Sequence, residues 1–430
     1  MKNKNRQQSH VTIIPPHRSS CRTAVEVRLS SREAGQARLS VVNGDNLLYT
    51  TIVDIDPSRA QTVVTRRFDE PGDLEIVVEF IDANGLVSTT YRQPYEVVDT
   101  PCRSTRQIDG CWVSLVHWSE DESRHFNTDL KKLGDEDWKD QIRAMNEVGI
   151  KSVLIQNVFD CNEYAGRHSL TVDNYPGLAL YPSKLYPARY PLTSSDPLEA
   201  ILQAADECEM SVFVGVGMFA WFDFCAESLE WHKRVTAELF EMYGHHPSLY
   251  SWYISEEMYG SLYDECDHIP SERYLEIVTF FREYKAFVNK LTPTKPVALA
   301  PNNIRFQEFE KEWGEILPHL DILIPFAFAR DLENLNIRQI QAICDRAGSH
   351  FWVDMEMFAW PLDNGLVPKS FDELMAEIRI YDDVEQIFGY QFTGIMNSPE
   401  STFNLGGEDA KRLFVEYRKH YGRKRPAVVA

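Results

Sequence analysis

Glutamate follows an apolar, strand-like stretch at two places in the sequence. Glu256 and Glu257 follow the stretch 249–254 after one serine, and Glu356 ends the stretch 351–356. Two carboxyl groups on opposite sides of a sugar can cleave a glycosidic bond, because one protonates the leaving oxygen while the other attacks the anomeric carbon or activates water. These residue types therefore predict glycoside cleavage, provided that the fold brings the two stretches together.

Strand geometry indicates which of these acids face the same side. Successive side chains along a strand point to opposite faces. With the apolar Ile254 on the helix side, Glu257 falls on the interior side and Glu256 on the outer side, unless a bulge turns both toward the pocket. In the second stretch Asp354 and Glu356 fall on the interior side. We therefore predict Glu257 and Glu356 as the catalytic pair, with Glu256 and Asp354 as alternatives.

Polar and aromatic residues also follow the other strand-like stretches. Amide groups bind sugar hydroxyls through hydrogen bonds, and aromatic rings offer apolar platforms. Aromatic residues make up 12% of the chain, more than a core alone requires. The predicted substrate-binding residues are His117, Trp118, Asn157, Trp221, Tyr259, Asn302, Asn303, Arg330, Trp360 and Gln391. The tyrosine-rich connection 160–195 is predicted to form a wall of the same site.

The elements that position these residues repeat eight times between residues 104 and 422. Each apolar stretch is followed by a segment of helical periodicity, which predicts a (β/α)8 TIM barrel with its functional residues at the carboxyl ends of the strands. A doubly wound sheet is the alternative, but the glycine-rich phosphate-binding turn that such sheets usually carry is absent from the sequence. The predicted strands are 110–117, 152–158, 211–218, 249–254, 297–300, 322–326, 351–356 and 389–396.

Residues 21–103 show a different pattern. Six or seven short alternating stretches are separated by turns such as Asn43-Gly44-Asp45-Asn46. This pattern predicts a small immunoglobulin-like β-sandwich domain that precedes the barrel. Residues 1–20 are predicted to form an N-terminal tail and residues 423–430 a C-terminal tail. The predicted fold class is therefore α/β, with a (β/α)8 barrel after an immunoglobulin-like sandwich.

Two resemblances extend this interpretation. The block Trp252-Tyr-Ile-Ser-Glu-Glu257 resembles the strand-four signature of the retaining TIM-barrel glycosidases, in which a tryptophan lies five residues before the acid/base glutamate. Together with residues 137–156, 197–202 and 210–217, the block resembles the DUF4434 family of glycosidase-like barrels. The resemblance covers most of the barrel but not the sandwich. It implies Glu257 as acid/base and Glu356 as nucleophile, whereas Glu256 stands where the superfamily usually has a sugar-binding asparagine.

The charge of the chain limits its partners. With 44 basic and 65 acidic residues the formal net charge is −21, which would repel nucleic acid and anionic membrane surfaces. No run of apolar residues is long enough to span a bilayer. We therefore expect a carbohydrate substrate that is neutral or weakly charged, and neither nucleic acid nor a membrane as partner. A monomer and a homo-oligomer both stay open.

No cofactor or metal is predicted. The eight cysteines show no CxxC and no metal-ligand spacing, so free thiols are expected, although Cys21 and Cys102 bracket the sandwich and would pair if its ends meet. His245 and His246 have no partner at ligand spacing in the sequence, which predicts solvated or helix-end histidines.

Location and two further functions complete the set of hypotheses. The basic N-terminus is not followed by an apolar signal segment, which predicts a cytoplasmic protein, or a secreted or periplasmic one if the N-terminus has been trimmed. The alternatives to a glycosidase are a carbohydrate-binding barrel without catalysis and a metal-assisted lyase or isomerase. The latter would use Glu257, Asp354 and Glu356 as ligands.

Overall fold

The computed structural model describes residues 9–163, 169–262, 271–329, 335–361 and 364–424 of the 430-residue chain. Of residues 271, 272, 423 and 424 it describes the backbone alone. The chain divides into two compact units. The first runs to Thr105 and also includes Ala286–Lys295, and the second comprises Arg106–Lys285 and the chain from Pro296 onward.

The first unit contains a β-sandwich built from two sheets. One sheet has the strand order β1-β3-β6, and the other has the order β2-β8-β7-β4-β5. The strands are β1 (Ser9–Ile14), β2 (Arg18–Ser20), β3 (Ala24–Ser31), β4 (Gly35–Asn43), β5 (Asn46–Ile55), β6 (Thr62–Arg67), β7 (Gly72–Ile81) and β8 (Val87–Val98).

Alternation of apolar residues explains how these strands form a core. Leu39 and Val41 of β4 are buried, whereas the residues between and beside them are partly exposed. Ile76 of the neighbouring β7 is buried with them, and Val27 and Leu29 of β3 contribute from the other sheet. Apolar residues therefore recur at every second position because one face of each sheet is buried and the other faces solvent.

Part of the segment predicted as an N-terminal tail belongs to the sandwich. Ser9–Ile14 pairs antiparallel with β3, and Arg18–Ser20 pairs with β8. Ile13 and Ile14 are buried. The prediction of a tail up to residue 20 is therefore wrong for these residues, because a short apolar run that stops at Pro15-Pro16 did not stand out as a strand.

The second unit is a parallel barrel whose strands we number 1 to 8 in chain order. Strand 7 consists of two segments. In the part of the chain that the structure describes, the strands are Gly110–Val113, Ser152–Ile155, Ser211–Gly215, Leu249–Ile254, Val297–Leu299, Ile322–Leu323, His350–Phe351 with Val353–Glu356, and Ile387–Tyr390.

The barrel closes at strand 7. Its first segment pairs with strand 6 and its second with strand 8, and only Trp352 separates the two segments. Strand 8 pairs in turn with strand 1. This closure excludes the doubly wound sheet and confirms the predicted α/β fold, a (β/α)8 barrel that follows a β-sandwich in the chain.

Helices follow the barrel strands, and local sequence explains several of their starts. Asp196 accepts a hydrogen bond from Glu199 N at 3.1 Å and precedes Pro197, so α3 begins with a side-chain cap and a proline in its first turn. Ser370 and Glu373 form a capping box on α8. The described helices are α1 (Asn127–Leu130), α2 (Asp135–Glu147), α3 (Pro197–Glu207), α4 (Ala226–Tyr243), α5 (Ser271–Leu291), α6 (Glu310–Ile316), α7 (Ile337–Ala347), α8 (Phe371–Ile378) and α9 (Gly407–Lys424).

Aromatic side chains fill the barrel interior. The ring of Trp112 meets those of Tyr253 and Phe388 edge to face at 6.3 and 5.9 Å, and Phe213 packs on Trp352 at 5.7 Å. The interior is thus a packed core that forms the floor of the site. It also confirms the predicted strand alternation, since Tyr253 and Trp352 both point inward. Among the described residues, no helix combines the length and apolar character needed to cross a membrane.

Candidate active site

Glu257 stands three residues beyond the end of strand 4. Burial raises the pKa of its carboxyl group to about 7, although a hydrogen bond from the Asn302 side chain opposes this effect. A carboxyl group with this pKa is partly protonated near neutral pH. It can therefore donate a proton in one step of a reaction and accept one in the next.

The side chain of Asn302 is oriented by the backbone around it. Its Oδ1 accepts hydrogen bonds from the N–H groups of Gly260 at 3.3 Å and Ile304 at 3.1 Å. Because the amide oxygen is engaged in this way, the amide nitrogen is the group that donates to Glu257. Asn302 was predicted to bind a sugar hydroxyl, and in the structure it contacts the predicted acid instead.

Glu356, at the end of strand 7, lies beside a cation. Lys369 Nζ is 3.4 Å from Glu356 Oε2 and donates to the Glu356 carbonyl oxygen at 2.8 Å. The same ammonium group donates to Glu377 of α8 at 2.5 Å, and Tyr381 donates to Glu377 at 3.0 Å. Attraction to this buried ammonium favours the ionised form of Glu356.

Asp354 connects the two predicted catalytic acids electrostatically. Its side chain is fully buried, and neither carboxyl oxygen has a hydrogen-bond partner among the described residues. Burial raises the pKa of Asp354 well above its usual value, and repulsion from Glu356 and Glu257 adds to the shift. Glu257 and Glu356, at the ends of strands 4 and 7, therefore both act on one buried carboxyl group, and its burial favours the neutral form.

Glu256 does not join this group of acids. It is fully buried, and it accepts a hydrogen bond from Phe219 N at 2.8 Å. Its Oε1 lies 3.9 Å from Nε2 of His232 on α4. Burial raises the pKa of Glu256 well above its usual value and lowers that of His232 to about 4, so burial disfavours the charged form of both groups. The predicted alternative, a bulge that turns Glu256 toward the pocket, is not formed.

A hydrogen-bonded group of polar side chains connects strands 1, 2 and 8. Ser114 Oγ lies 2.6 Å from Gln156 Oε1 and 2.5 Å from Gln391 Oε1, and the Tyr390 hydroxyl donates to Gln156 at 3.3 Å. The amide nitrogen of Gln391 is buried and has no protein partner in the part of the chain that the structure describes. Of the predicted binding residues, Gln391 thus keeps a donor that no described group uses.

Three other predicted polar residues have different surroundings. Asn157 donates to the backbone carbonyl of Phe159 at 2.7 Å, which is a structural contact. The amide nitrogen of Asn303 is buried without a partner among the described residues. Arg330 lies outside the residues that the structure describes.

His117 is buried at the end of strand 1. Its Nδ1 approaches the Ser119 carbonyl oxygen at 3.1 Å, and its Nε2 lies 3.7 Å from Glu122. Burial lowers the pKa of His117 to about 4, so the imidazole is neutral at physiological pH. The predicted binding role of His117 is therefore limited to a neutral ring that shapes the loop after strand 1.

The predicted aromatic residues keep exposed surface. Trp118 and Trp360 are 56% and 52% exposed, and Trp221 and Tyr259 are partly buried. Phe222, which the sequence analysis did not select, packs on Tyr259 at 4.8 Å between ring centroids. It follows Trp221 directly, so its position after strand 3 was the signal that could have identified it.

The tyrosines of the connection 160–195 pack inside the unit. Tyr175 and Tyr181 are buried, and both contact Phe159. Tyr175 also packs on Trp231 of α4 at 4.8 Å. The prediction that this connection forms a substrate wall is wrong for these tyrosines, because their rings complete the core between strand 2 and α4.

His246 has partners that its position in the sequence did not reveal. Its Nδ1 lies 2.6 Å from Asp206 and its Nε2 lies 3.2 Å from Glu199. These carboxylates raise the pKa of His246 despite its burial. Atoms of Glu199, His245 and His246 that could bind a metal lie within 4.8 Å of one another. Of the two expectations, a solvated histidine is wrong for His246, whereas a helix-end histidine is right, because His246 is buried three residues beyond the end of α4.

Cys21 and Cys102, the pair that would have closed the sandwich, are free thiols. Cys21 Sγ donates to the Val98 carbonyl oxygen at 3.7 Å, and Cys102 Sγ to the Ser104 carbonyl oxygen at 3.5 Å. The thiols thus follow the general expectation for this chain.

Comparison with solved structures finds several that are similar to this chain. A candidate alpha-L-fucosidase from Bacteroides thetaiotaomicron VPI-5482 is 20% identical, covers 74% of this chain and 93% of its own, and has a TM-score of 0.52. A beta-galacturonidase from Eisenbergiella tayi bound to galacturonate is 12% identical, with 97% and 73% covered and a TM-score of 0.42. A beta-glucuronidase from Parabacteroides merdae is 13% identical, with 96% and 52% covered and a TM-score of 0.40. At these identities the likeness concerns the fold alone.

Sequence comparison identifies the family. None of the curated proteins matches the chain at a significant level. The family model described as "Domain of unknown function (DUF4434)" matches residues 108–403, which contain strands 1 to 8 of the barrel. The resemblance noted in the sequence is thus confirmed, and this chain belongs to the DUF4434 family.

Proposed function

We propose that this protein is a glycoside hydrolase that cleaves O-glycosidic bonds of an oligo- or polysaccharide with retention of configuration. The observation that carries the proposal is the contrast between the glutamates at the ends of strands 4 and 7. Glu257 has a pKa of about 7, whereas Glu356 is in contact with the ammonium group of Lys369. A retaining glycosidase needs one protonated and one ionised carboxyl group, and this contrast supplies both.

The proposed reaction proceeds in two displacements. In the first, the ionised Glu356 attacks the anomeric carbon while Glu257 protonates the departing oxygen, so that the glycosidic bond breaks and a glycosyl ester forms. In the second, Glu257 removes a proton from water, the hydroxyl attacks the anomeric carbon, and Glu356 leaves as a carboxylate. Both carboxyl groups return to their starting states, and the reaction consumes water alone.

The surrounding side chains suit a sugar. The unused amide nitrogens of Asn303 and Gln391 are donors for hydroxyl groups, and Trp118, Trp221, Tyr259 and Trp360 are candidate platforms. The net charge of −21 favours a neutral or weakly charged substrate. The alternative of a metal-assisted lyase is less well supported, because the ammonium of Lys369 beside Glu356 would repel a divalent cation.

The test is a panel of 4-nitrophenyl glycosides and natural oligosaccharides, assayed with the parent protein and with Glu257→Gln and Glu356→Gln. We expect the parent to hydrolyse at least one compound and both variants to lose that activity. Proton NMR of the first-formed product should show the anomeric configuration of the substrate. The assignment would be refuted if Glu356→Gln kept more than a tenth of the parent turnover, or if Glu257→Gln cleaved an oligosaccharide as fast as the parent.

Binding without turnover identifies the competing function. If the parent binds an oligosaccharide but releases no product, the protein is a carbohydrate-binding barrel in which the carboxylates only accept hydrogen bonds. If the first product is the inverted anomer, the protein is still a glycoside hydrolase, but Glu356 is not its nucleophile. In an inverting enzyme the second carboxylate activates water.

A further inference from the structure

A continuous row of rings extends along the loops after strands 1, 3 and 4. We call it the aromatic row, and it consists of His117, Trp118, Trp221, Phe222 and Tyr259. Successive ring centroids are 6.1, 6.2, 6.4 and 4.8 Å apart in that order. The rings thus form one connected set and not isolated aromatic residues.

Most of the aromatic row remains in contact with solvent. Trp118 is more than half exposed, and Trp221, Phe222 and Tyr259 are partly exposed. Contiguous aromatic surface that is left exposed at the mouth of a barrel marks a binding site, because burying it elsewhere would be more favourable. His117, at one end, is buried and provides the ring against which Trp118 stacks.

The central part of the aromatic row is held by its backbone. Trp221 N donates to the Glu163 carbonyl oxygen at 3.0 Å, and Glu256 accepts from Phe219 N two residues earlier. Phe222 has φ of 59°, in the left-handed region that bulky residues rarely adopt. Residues kept in such a conformation by their surroundings are concentrated at functional sites. The rings are therefore positioned before a ligand arrives.

The end of the aromatic row at Tyr259 locates it relative to the chemistry. Tyr259 is two residues from Glu257, and the N–H of the adjacent Gly260 donates to Asn302, the residue whose amide contacts the Glu257 carboxyl group. In the proposed reaction Glu257 transfers its proton to the oxygen of the leaving group. The part of the substrate that leaves is therefore the part nearest Tyr259, and from there the rings continue toward Trp118.

Charge around the aromatic row selects an uncharged ligand. Glu120 and Asp121 follow Trp118 closely and are exposed. Two cations lie beside them and are engaged by these acids, since Lys131 is 2.5 Å from Glu120 and Arg124 is 3.8 Å from Asp121. A single-stranded nucleic acid also stacks on aromatic rings, but its phosphates would be repelled by these acids.

We infer that the aromatic row binds the leaving-group portion of an uncharged linear oligosaccharide, so that the substrate extends beyond the sugar whose bond is cleaved. This inference rests on the proposed function, because that function identifies Glu257 as the acid. Sugar rings present apolar C–H faces, and successive faces of a linear chain can lie on successive aromatic rings. A compound with a small leaving group would reach only Tyr259.

The experiment compares leaving groups of different length. Cello-, xylo- and manno-oligosaccharide ladders labelled at the reducing end are assayed beside the 4-nitrophenyl glycoside of the same sugar. We expect kcat/KM of the parent to rise with chain length on the leaving-group side. Trp118→Ala should lower kcat/KM for the long oligosaccharide about tenfold while the 4-nitrophenyl glycoside changes less than about twofold, since one platform is lost.

Two variants control for folding and for the ring itself. Trp118→Phe keeps an aromatic face and should restore most of the chain-length dependence. Leu275→Ala removes an exposed apolar side chain from α5, outside the aromatic row, and should behave as the parent. Equal losses for both kinds of substrate in Trp118→Ala would mean a general structural defect and would overturn the inference.

Binding to the Glu257→Gln protein separates this inference from the proposed function. Its tryptophan fluorescence is titrated with the same ladders and with oligogalacturonides and oligothymidylate as anionic comparators. Tighter binding of longer neutral oligosaccharides, lost with Trp118→Ala, supports the aromatic row even if the parent hydrolyses nothing. If the parent hydrolyses a glycoside but neither chain length nor Trp118→Ala changes the rate, the binding role of the aromatic row is refuted. The proposed hydrolase function then still stands. If oligogalacturonides or oligothymidylate bind more tightly than the neutral oligosaccharides, the inference that the ligand is uncharged is refuted.

Discussion

Glu257 and Glu356 occupy equivalent places in the barrel, just beyond or at the end of a parallel strand, yet their surroundings differ. Beside Glu257 the described contacts include an amide group, Asn302, and burial raises its pKa to about 7. Beside Glu356 there is an ammonium group, Lys369, which Glu377 holds in turn. The difference teaches that the neighbours of a glutamate, and not its position on the strand, decide which carboxyl group keeps its proton.

The largest effect is expected from removing the charge of Glu356. Glu356→Gln cannot form the glycosyl ester, so kcat should fall by at least about 10³-fold with folding unchanged. Circular dichroism checks the fold, and a small external nucleophile such as azide should restore turnover with the opposite anomeric configuration. A variant that retains more than a tenth of the parent activity would mean that another group is the nucleophile.

The next largest effect is expected at Glu257, and it should depend on the leaving group. Glu257→Gln removes the proton donor, which should lower kcat/KM about 10²–10⁴-fold for an oligosaccharide. A 2,4-dinitrophenyl glycoside needs no protonation to depart, so its cleavage should suffer much less. Equal losses for both substrates would contradict the role of Glu257 as acid.

Removing the cation beside Glu356 should weaken the contrast in protonation between Glu356 and Glu257. In Lys369→Met the ammonium group that favours the ionised form of Glu356 and holds the Glu356 side chain is lost. We therefore expect kcat/KM at neutral pH to fall about tenfold to a hundredfold. The acid limb of the pH–rate profile should move to higher pH, because Glu356 then becomes protonated more readily. A loss of activity without movement of that limb would indicate a structural role alone.

Controls for this variant come from the same group of side chains. Lys369→Arg keeps the positive charge and should retain the position of the acid limb. Glu377 would be left buried without its cation in Lys369→Met, so the double variant with Glu377→Gln tests whether lost stability explains the result. Thermal unfolding of all three proteins separates stability from catalysis.

The hydrogen bond from Asn302 to Glu257 should affect the position of the basic limb of the pH–rate profile. In the parent, activity should fall as pH rises through about 7, because Glu257 then loses the proton it must donate. Asn302→Ala removes a bond that favours the charged form, so the pKa of Glu257 should rise and the basic limb should move to higher pH. The accompanying change of kcat/KM should be a few-fold, as expected for one hydrogen bond of about 1 kcal/mol. A basic limb that moves down in pH would contradict the assignment of this limb to Glu257.

The smallest effect on catalysis is expected at Glu256. Glu256→Gln keeps an oxygen that accepts from Phe219 N and lacks a charge that the folded protein already suppresses. We therefore expect kcat/KM to change less than about threefold, as for a substitution outside the reacting groups. A loss as large as that of Glu257→Gln would show that the two glutamates had been assigned in the wrong order.

Much of the barrel could be predicted from the sequence because its signals are local. Alternation predicted that Tyr253 and Trp352 face the interior and that Glu256 points away from it, and the packing of these residues confirms the prediction. The periodic repeat likewise predicted the strand and helix order. Whether Glu257 and Glu356 catalyse a reaction stays a prediction.

Other features could not be predicted because they depend on contacts between distant segments. Lys369 follows Glu356 by a loop, and no pattern in the sequence indicates that its ammonium group returns to that carboxylate. The buried positions of Tyr175 and Tyr181 depend on α4, and the partners of His246 come from α3. The strands at residues 9–14 and 18–20 become recognisable only beside β3 and β8.

The sequence by itself determined the fold class, the family, and which acids fall on the interior side of strands 4 and 7. Each of these follows from periodicity or from residue order along one segment. Only the tertiary structure decided the protonation of these acids, because pKa values depend on burial and on charges brought close by folding. The ammonium of Lys369, the amide of Asn302 and the buried Asp354 therefore distinguish two glutamates that the sequence alone leaves alike.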